Sequence, residues 1–168
     1  MVMEARTIIR SIVALIAVAA VVWGIWVIFF NKPSDEELVN QQLDALCKVV
    51  DKNSDETTLE SMGKMRALEK LLAPDCVLEL TSIHASLEGE YGADQLAALG
   101  LQWRSRFNTI RTAAENRKIW FEGDAAYVDF QASCDGDGRI IAADVTAMLQ
   151  KEDQNWLFSR FNSRAALE

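Results

Sequence analysis

One histidine, three cysteines and a carboxylate set inside an apolar strand pattern are the residues whose types would let this sequence do chemistry. His84 is the only histidine, so any imidazole proton transfer would have to use it. It lies in the polar run TSIHASLEGE, where a surface or lid position is the ordinary reading. Asp144 interrupts IIAADVTAML. Strand alternation sends it either to a buried side, where a desolvated carboxylate is seldom idle, or to solvent, where it is ordinary. Tyr127 and Asp129 share one strand face and would line a pocket or a dimer surface. Cys47, Cys76 and Cys134 are widely spaced, with no C-x-x-C and no paired histidine, so a zinc site is not expected. They read as small buried apolar residues or, outside the cytoplasm, as one disulfide with an odd thiol left to bridge two chains. Asp135-Gly136-Asp137-Gly138 looks like the start of a calcium loop, but the twelfth position from Asp135 is Thr146, where an EF-hand requires a bidentate Glu. A hairpin turn is the better reading. No phosphate-cradling glycine loop, nucleophile elbow or metal-ligand cluster occurs, so neither metal nor cofactor is expected.

The elements that must position these residues follow an N-terminal appendage. After a short flank, 1–10, the stretch SIVALIAVAAVVWGIWVIFF at 11–30 carries no charge. At 1.5 Å rise per residue its length matches a hydrocarbon core of about 30 Å. Trp23, Trp26, Phe29 and Phe30 crowd its C-terminal end, where amphipathic rings favour the headgroup boundary. Ala20 and Gly24 form a small-xxx-small step that would let two such helices approach closely. A cleaved signal peptide is disfavoured because the apolar run continues past Ala17-Val18-Ala19 without a break. Arg6 and Arg10 precede the span and only Lys32 follows it before Asp35, Glu36 and Glu37. The expected arrangement is therefore a single-pass anchor in the cell membrane, with the N-terminus cytoplasmic and the domain outside. A linker at 31–34 joins the anchor to the body, 35–165.

The body is acidic. Taking Arg6, Arg10 and Lys32 from the 17 basic residues, and Glu4 from the 25 acidic ones, leaves the remainder at net −10. Such a charge repels phosphate backbones, so nucleic acid is not an expected partner. Ser34 and Glu37 form an S-x-x-E capping box ahead of a first helix with Val39, Leu43, Leu46, Cys47 and Val50 on one stripe. Leu59, Met62, Met65, Leu68 and Leu72 predict a second helix, ended by Pro74. A short strand is expected over Cys76–Leu80, then a loop-like segment over Thr81–Tyr91 with room for a brief strand at its end. A third helix from Asp94 follows, with Leu96, Leu99, Trp103 and Phe107 inward and Gly100 permitting close packing. Four strands finish the chain. Ile110–Phe121 and Ala125–Ser133 meet at Gly123-Asp124, a type II′ hairpin signal. Ile141, Ala143, Val145, Ala147 and Leu149 alternate along the third, and WLFSRFN forms the last. Trp103, Trp120 and Trp156 read as core or, alternatively, as interface anchors. Helices followed by an antiparallel meander give an α+β class with the helices on one face of a curved sheet.

This order, together with the pieces LLAPDCVLEL, YGADQLAAL, FEGDAAYVDF and NWLFSRFN, resembles the nuclear transport factor 2-like (SnoaL-like) superfamily over about 35–165. The resemblance implies a cone, in which a curved antiparallel sheet packed by three helices encloses a pocket. That superfamily hosts dehydratases, isomerases, hydrolases and non-catalytic dimers, so the fold alone does not choose a function. If the chain resembles the enzymes, Asp144, His84 and Tyr127 are the acid–base candidates, with Asp129 lining the pocket and Arg160 as an anion partner. If it resembles anchored members in layout, the domain assembles with a second copy or with other membrane-protein subunits. The second expectation is preferred, because a short tether concentrates the domain near membrane partners.

Overall fold

The computed structural model describes residues 33–81 and 86–165. The chain divides into two compact units, Met1–Ser34 and Asp35–Glu168. The apolar span 11–30, with its anchoring aromatics and the Ala20–Gly24 step, lies outside the described residues, and so does His84. Among the described residues no helix is long and apolar enough to cross a membrane.

The first helix, α1 (Asp35–Val50), begins directly after Ser34 with Asp35, Glu36 and Glu37 in its first turn and Lys48 in its last, which matches the helix dipole at both ends. Its expected stripe forms: Val39 and Leu43 are fully buried, and Leu46 and Cys47 pack beside them. Burying each of the first two stabilises the fold by about 1.5–3 kcal/mol. The Asp35 carboxylate accepts from Lys151 Nζ at 2.7 Å and Trp156 Nε1 at 3.1 Å. These two donors, Lys151 first, hold its pKa below the usual aspartate value.

The second helix, α2 (Thr58–Glu69), starts on a capping box at Thr57: Glu60 N–H donates to Thr57 Oγ1 at 3.2 Å and Thr57 N–H to Glu60 Oε2 at 2.7 Å. Two expectations fail here. Leu59 and Met62 are 79% and 43% exposed, and the buried face is Ser61, Met65 and Leu68. The third helix, α3 (Ala93–Arg104), sets that face, because a methyl group added at Gly100 would sit 2.9 Å from Met65 Sδ. This close approach turns the 61–65–68 stripe inward, and Leu59, two residues before Ser61, is rotated about 200° away from it. Pro74 does not end α2, which stops at Glu69; it lies within β1 (Leu72–Thr81), which is longer than the expected Cys76–Leu80. In α3, Leu99 is 40% exposed, while Ala97 and Arg104 are buried.

Arg104 was not legible as a core residue, yet it locks the helices together. Its guanidinium donates to the carbonyls of Val49 (2.9 Å), Val50 and Asp51 (3.0 Å), which α1 leaves without intrahelical partners, and forms an ion pair with Glu56. Glu56 also accepts from Ser61 Oγ and from Lys64 Nζ at 2.7 Å. Burial alone would raise its pKa, but the donors Lys64, Ser61 and Arg104 outweigh it and hold the group at about 2.

The brief strand considered at the end of the loop-like segment before α3 forms as β2 (Ser86–Gly92), seven residues long and paired antiparallel to β1. Strands β3 (Ile110–Glu122), β4 (Ala125–Gly136), β5 (Arg139–Glu152) and β6 (Asn155–Ala165) form the meander. The six-stranded order is β2-β1-β6-β5-β4-β3, with only β1 and β6 parallel. Gly123 takes φ +60 at the first central position of the β3–β4 turn, as type II′ requires. The next turn is confined to Asp137-Gly138, so β4 runs on to Gly136, past the expected strand end at Ser133. Bulges between Glu115 and Lys118 on β3 and at Ser159 on β6, opposite Met148 and Leu149 of β5, bend the sheet. One face, carrying Val128, Phe130, Ala147, Leu149, Trp156 and Phe158, packs under the helices as the core. The other face carries no helix among the described residues.

Candidate functional site

The two faces of the sheet carry two cavities of opposite character. Between α1 and the core face lies an apolar slot of about 310 Å³, whose walls include Leu46, Cys47, Phe130, Ala132, Cys134 and Val145. Among the described residues lining it there is no carboxylate, imidazole or amine. Its polar groups are small: Thr112 Oγ1, whose single proton lies within reach of Asp51 Oδ1 at 2.8 Å and Cys47 O at 3.1 Å, the Ser133 side chain and the two thiols. Burial pushes both the Cys47 and the Cys134 thiol up, so they stay protonated and weakly nucleophilic. Cys76 is buried in the core and pushed up to about 11. All three cysteines are free, so the disulfide considered from sequence is not formed.

On the helix-free face a depression of about 710 Å³ gathers Tyr127, Asp129, Asp144 and Arg160, four of the residues that the sequence nominated. Alternation places them there. Ala126, Val128 and Phe130 of β4 enter the core, so Tyr127 and Asp129 between them turn outward; Ala147 and Leu149 of β5 do the same to Met148. Asp144 lies opposite Gln131 on that outer face and is exposed. Of the two orientations open to it, the fold takes the one away from the cone. Asp129 Oδ1 accepts from Thr146 Oγ1 at 2.7 Å, and Glu79 accepts from Asn162 Nδ2 at 2.7 Å and Arg160 Nη1 at 3.3 Å. Trp120 stacks on Tyr127 with ring centroids 5.4 Å apart and planes at 11°. Trp156, by contrast, is core at 2% exposure, and Trp103 packs on Phe107.

Sequence reasoning missed Glu79 and Asn162. They reach the site because β1 lies parallel to β6 and pairs Glu79 with Asn162, a long-range register that no local pattern encodes. Among the described residues no group of three or more His, Cys, Asp and Glu side chains is placed to hold a metal ion.

No family model matches the chain, and no curated protein matches it. Solved structures do. A nuclear transport factor 2-like protein from Cytophaga hutchinsonii superposes with a TM-score of 0.57 at 13% identity, covering 79% of this chain and 99% of its own. The described domain has a nuclear transport factor 2-like fold. A Novosphingobium aromaticivorans protein provisionally named a scytalone dehydratase shares it, with a TM-score of 0.61, 16% identity and coverage of 79% and 85%. So does a Xanthomonas campestris protein provisionally named a calcium/calmodulin dependent protein kinase II association domain, with a TM-score of 0.56, 15% identity and coverage of 80% and 89%. Likeness at this level establishes the shape, and chemistry has to be argued from the two cavities.

Proposed function

We propose that this chain is a membrane-anchored interaction module and that the helix-free face of its nuclear transport factor 2-like domain is the binding surface. The supporting observation is the separation of the two cavities. In the described domain the nominated Asp144 and Tyr127 stand on the open face, whereas the slot on the core side is lined by carbon, two thiols and the hydroxyl-bearing Thr112 and Ser133. A pocket enzyme of the dehydratase or isomerase type would need a positioned carboxylate or imidazole in reach of an enclosed substrate. The uncharged span 11–30 supplies the anchor in this reading, with the domain on the outer side and the tether 31–34 holding it near other membrane components. The partners are polypeptides: a second copy or other membrane-protein subunits. The fold accommodates such a role, since it is shared by the Xanthomonas protein provisionally named an association domain.

A second reading is favoured by one feature, the apolar slot. Its 310 Å³ and almost wholly apolar walls suit a small hydrophobic molecule, bound without chemistry. Native mass spectrometry of the full-length protein, released gently from its own membrane, separates the two. A stoichiometric complex with polypeptide chains is expected. A bare monomer that retains a small molecule would overturn the interaction reading in favour of the slot.

A further inference from the structure

We propose that the second half of β3, residues 118–122, is an open edge that takes an extended, basic segment of another polypeptide as a further strand, antiparallel to β3. The contact adds to the interaction reading above and is independent of the helix-free face. The order β2-β1-β6-β5-β4-β3 leaves β2 and β3 at the edges, where unpaired backbone groups template the addition of a strand. Strand β2 is a poor template: it is seven residues long, has Gly89 at φ +147 and carries Glu88 and Glu90. Strand β3 has thirteen residues, and its two halves differ.

The first half is closed. Ile110 N–H donates to Lys52 O at 2.9 Å, and Ile110 O accepts from Lys52 N–H at 2.8 Å. Two residues on, Thr112 N–H donates to Asp51 Oδ1 at 2.6 Å, and Ala114 O accepts from Arg117 Nε at 2.9 Å. Residues 110, 112 and 114 are therefore those whose backbone turns away from β4. The bulge between Glu115 and Lys118 resets the alternation. Glu122 and Ala125 close the Gly123-Asp124 turn as a hydrogen-bonded pair, so Trp120 also bonds to β4, and the N–H and C=O groups of Ile119 and Phe121 face the edge. Among the described residues these groups have no hydrogen-bond partner.

The charges around this edge select its occupant. Helix α1 runs back along β3: Asp35 meets Trp156, whose ring centroid lies 5.7 Å from that of Phe121, Asn40 and Asp44 meet Arg117, and Cys47 O meets Thr112. Glu36, Asn40 and Asp44, one turn apart, thus form a stripe that borders the edge, with exposed Glu122 and Asp124 at its end. Of the cations beside it, Arg117 and Lys151 are already paired with Asp44 and Asp35. Phe121, 42% exposed, offers an incoming strand an apolar contact. The segment that fits carries an apolar residue opposite Phe121 and a Lys or Arg two positions to either side, on the face toward the α1 stripe and Asp124. Main-chain bonds supply the affinity and these side chains the selectivity. A second copy fits less well. Antiparallel self-pairing would set Lys118 opposite Glu122, but it would also bring two Glu36–Asn40–Asp44 stripes to one seam, where like charges select against it.

Titration of the full-length chain, held in phosphatidylcholine nanodiscs, with the fluorescein-labelled peptide TKTVTKT tests this. Binding is expected, with hydrogen exchange slowed roughly tenfold at the Ile119 and Phe121 amides and unchanged at the already bonded Thr112 amide. The acidic analogue TETVTET, and TKTVTKT carrying N-methylvaline, should each bind roughly tenfold more weakly, the first through charge and the second through a lost main-chain bond. Phe121→Pro removes an edge N–H that the ladder does not use, so it should bind the peptide several-fold more weakly than Phe121→Ala does. Reversal of the border with Glu36→Lys and Glu122→Lys should make TETVTET the better ligand. No binding of TKTVTKT, equal binding of the two peptides, no loss with N-methylvaline, or protection away from residues 119 and 121 would overturn the proposal. Protection of these amides that rises with protein concentration in the absence of peptide would also overturn it, and would assign the edge to a second copy.

Discussion

At the junction of α1, α2 and α3, Glu56 and Arg104 have side chains only 4% and 2% exposed, and their charges are spent on each other and on helix carbonyls. On the outer sheet face Asp144 and Arg160 are exposed, and Asp129 and Glu79 are only partly buried, although three of these four groups also have partners within the chain. The contrast separates two uses of charge in one small domain. Sealed from water, a charge needs partners: both Arg104 Nη groups have them and only its Nε is left without one, so the group serves to hold elements in place. Left at the surface, it adds little to stability and stays available to a partner molecule. Both groups would be scored alike by composition, as part of a net −8 chain.

The sharpest way to break this contrast is to remove Arg104. Arg104→Ala leaves Glu56 as a buried charge with less compensation and opens the carbonyls at the end of α1, which should cost about 3–5 kcal/mol in urea unfolding. Titration gives a somewhat smaller effect at the same place. Glu56 is held at about 2 in the folded chain against an ordinary 4.5, so its contribution is full above pH 4.5 and is lost as pH falls from there through 2. That window is worth up to about 3 kcal/mol. Glu56→Gln should flatten this acid limb of the stability profile, and an unchanged limb would show that the lock is not where acid sensitivity lies. Asp35 and Asp137, also lowered by their hydrogen-bond donors, act in the same direction and would leave a residual slope.

Filling the slot sharpens the comparison from the other side. Ala132→Phe places a ring in space that is already empty, so stability should shift by no more than about 1 kcal/mol, toward the low end of overpacking costs. Fluorescence of a bound apolar dye such as N-phenylnaphthylamine should fall to background in that variant. The smallest effect is expected on the open face. Asp144→Asn should leave stability within about 0.5 kcal/mol and dye binding unchanged. A loss well beyond that would mean that Asp144 belongs with the structural charges.

Much of the architecture is written locally. The α1 stripe at Val39 and Leu43, the Gly123 turn and the alternation along β5 all follow from side-chain periodicity and backbone freedom, and they appear where the pattern puts them. The errors fall where neighbours override local preference. Leu59, Met62 and Leu99 sit at good helical spacing and still face outward, because the α2–α3 contact at Gly100 fixes which stripe is covered. A proline that would stop a helix is instead accommodated in β1, near the bulge between Leu72 and Val77.

By itself the sequence determined the α+β class, the helix-free strand meander, the acidic character of the body and the short list Tyr127, Asp129, Asp144 and Arg160. Those features depend on residue type and on periods of two or 3.6 residues, which are properties of short stretches. Only the tertiary structure decided that these four residues share one open face, that Glu79 and Asn162 join them, and that the slot on the core side is lined almost wholly by apolar groups. Each of those facts depends on strand register across the parallel β1–β6 pair and on which side the helices cover. A strand's own alternation fixes that successive residues face opposite ways, but which way is inward is set by packing against elements distant in the chain.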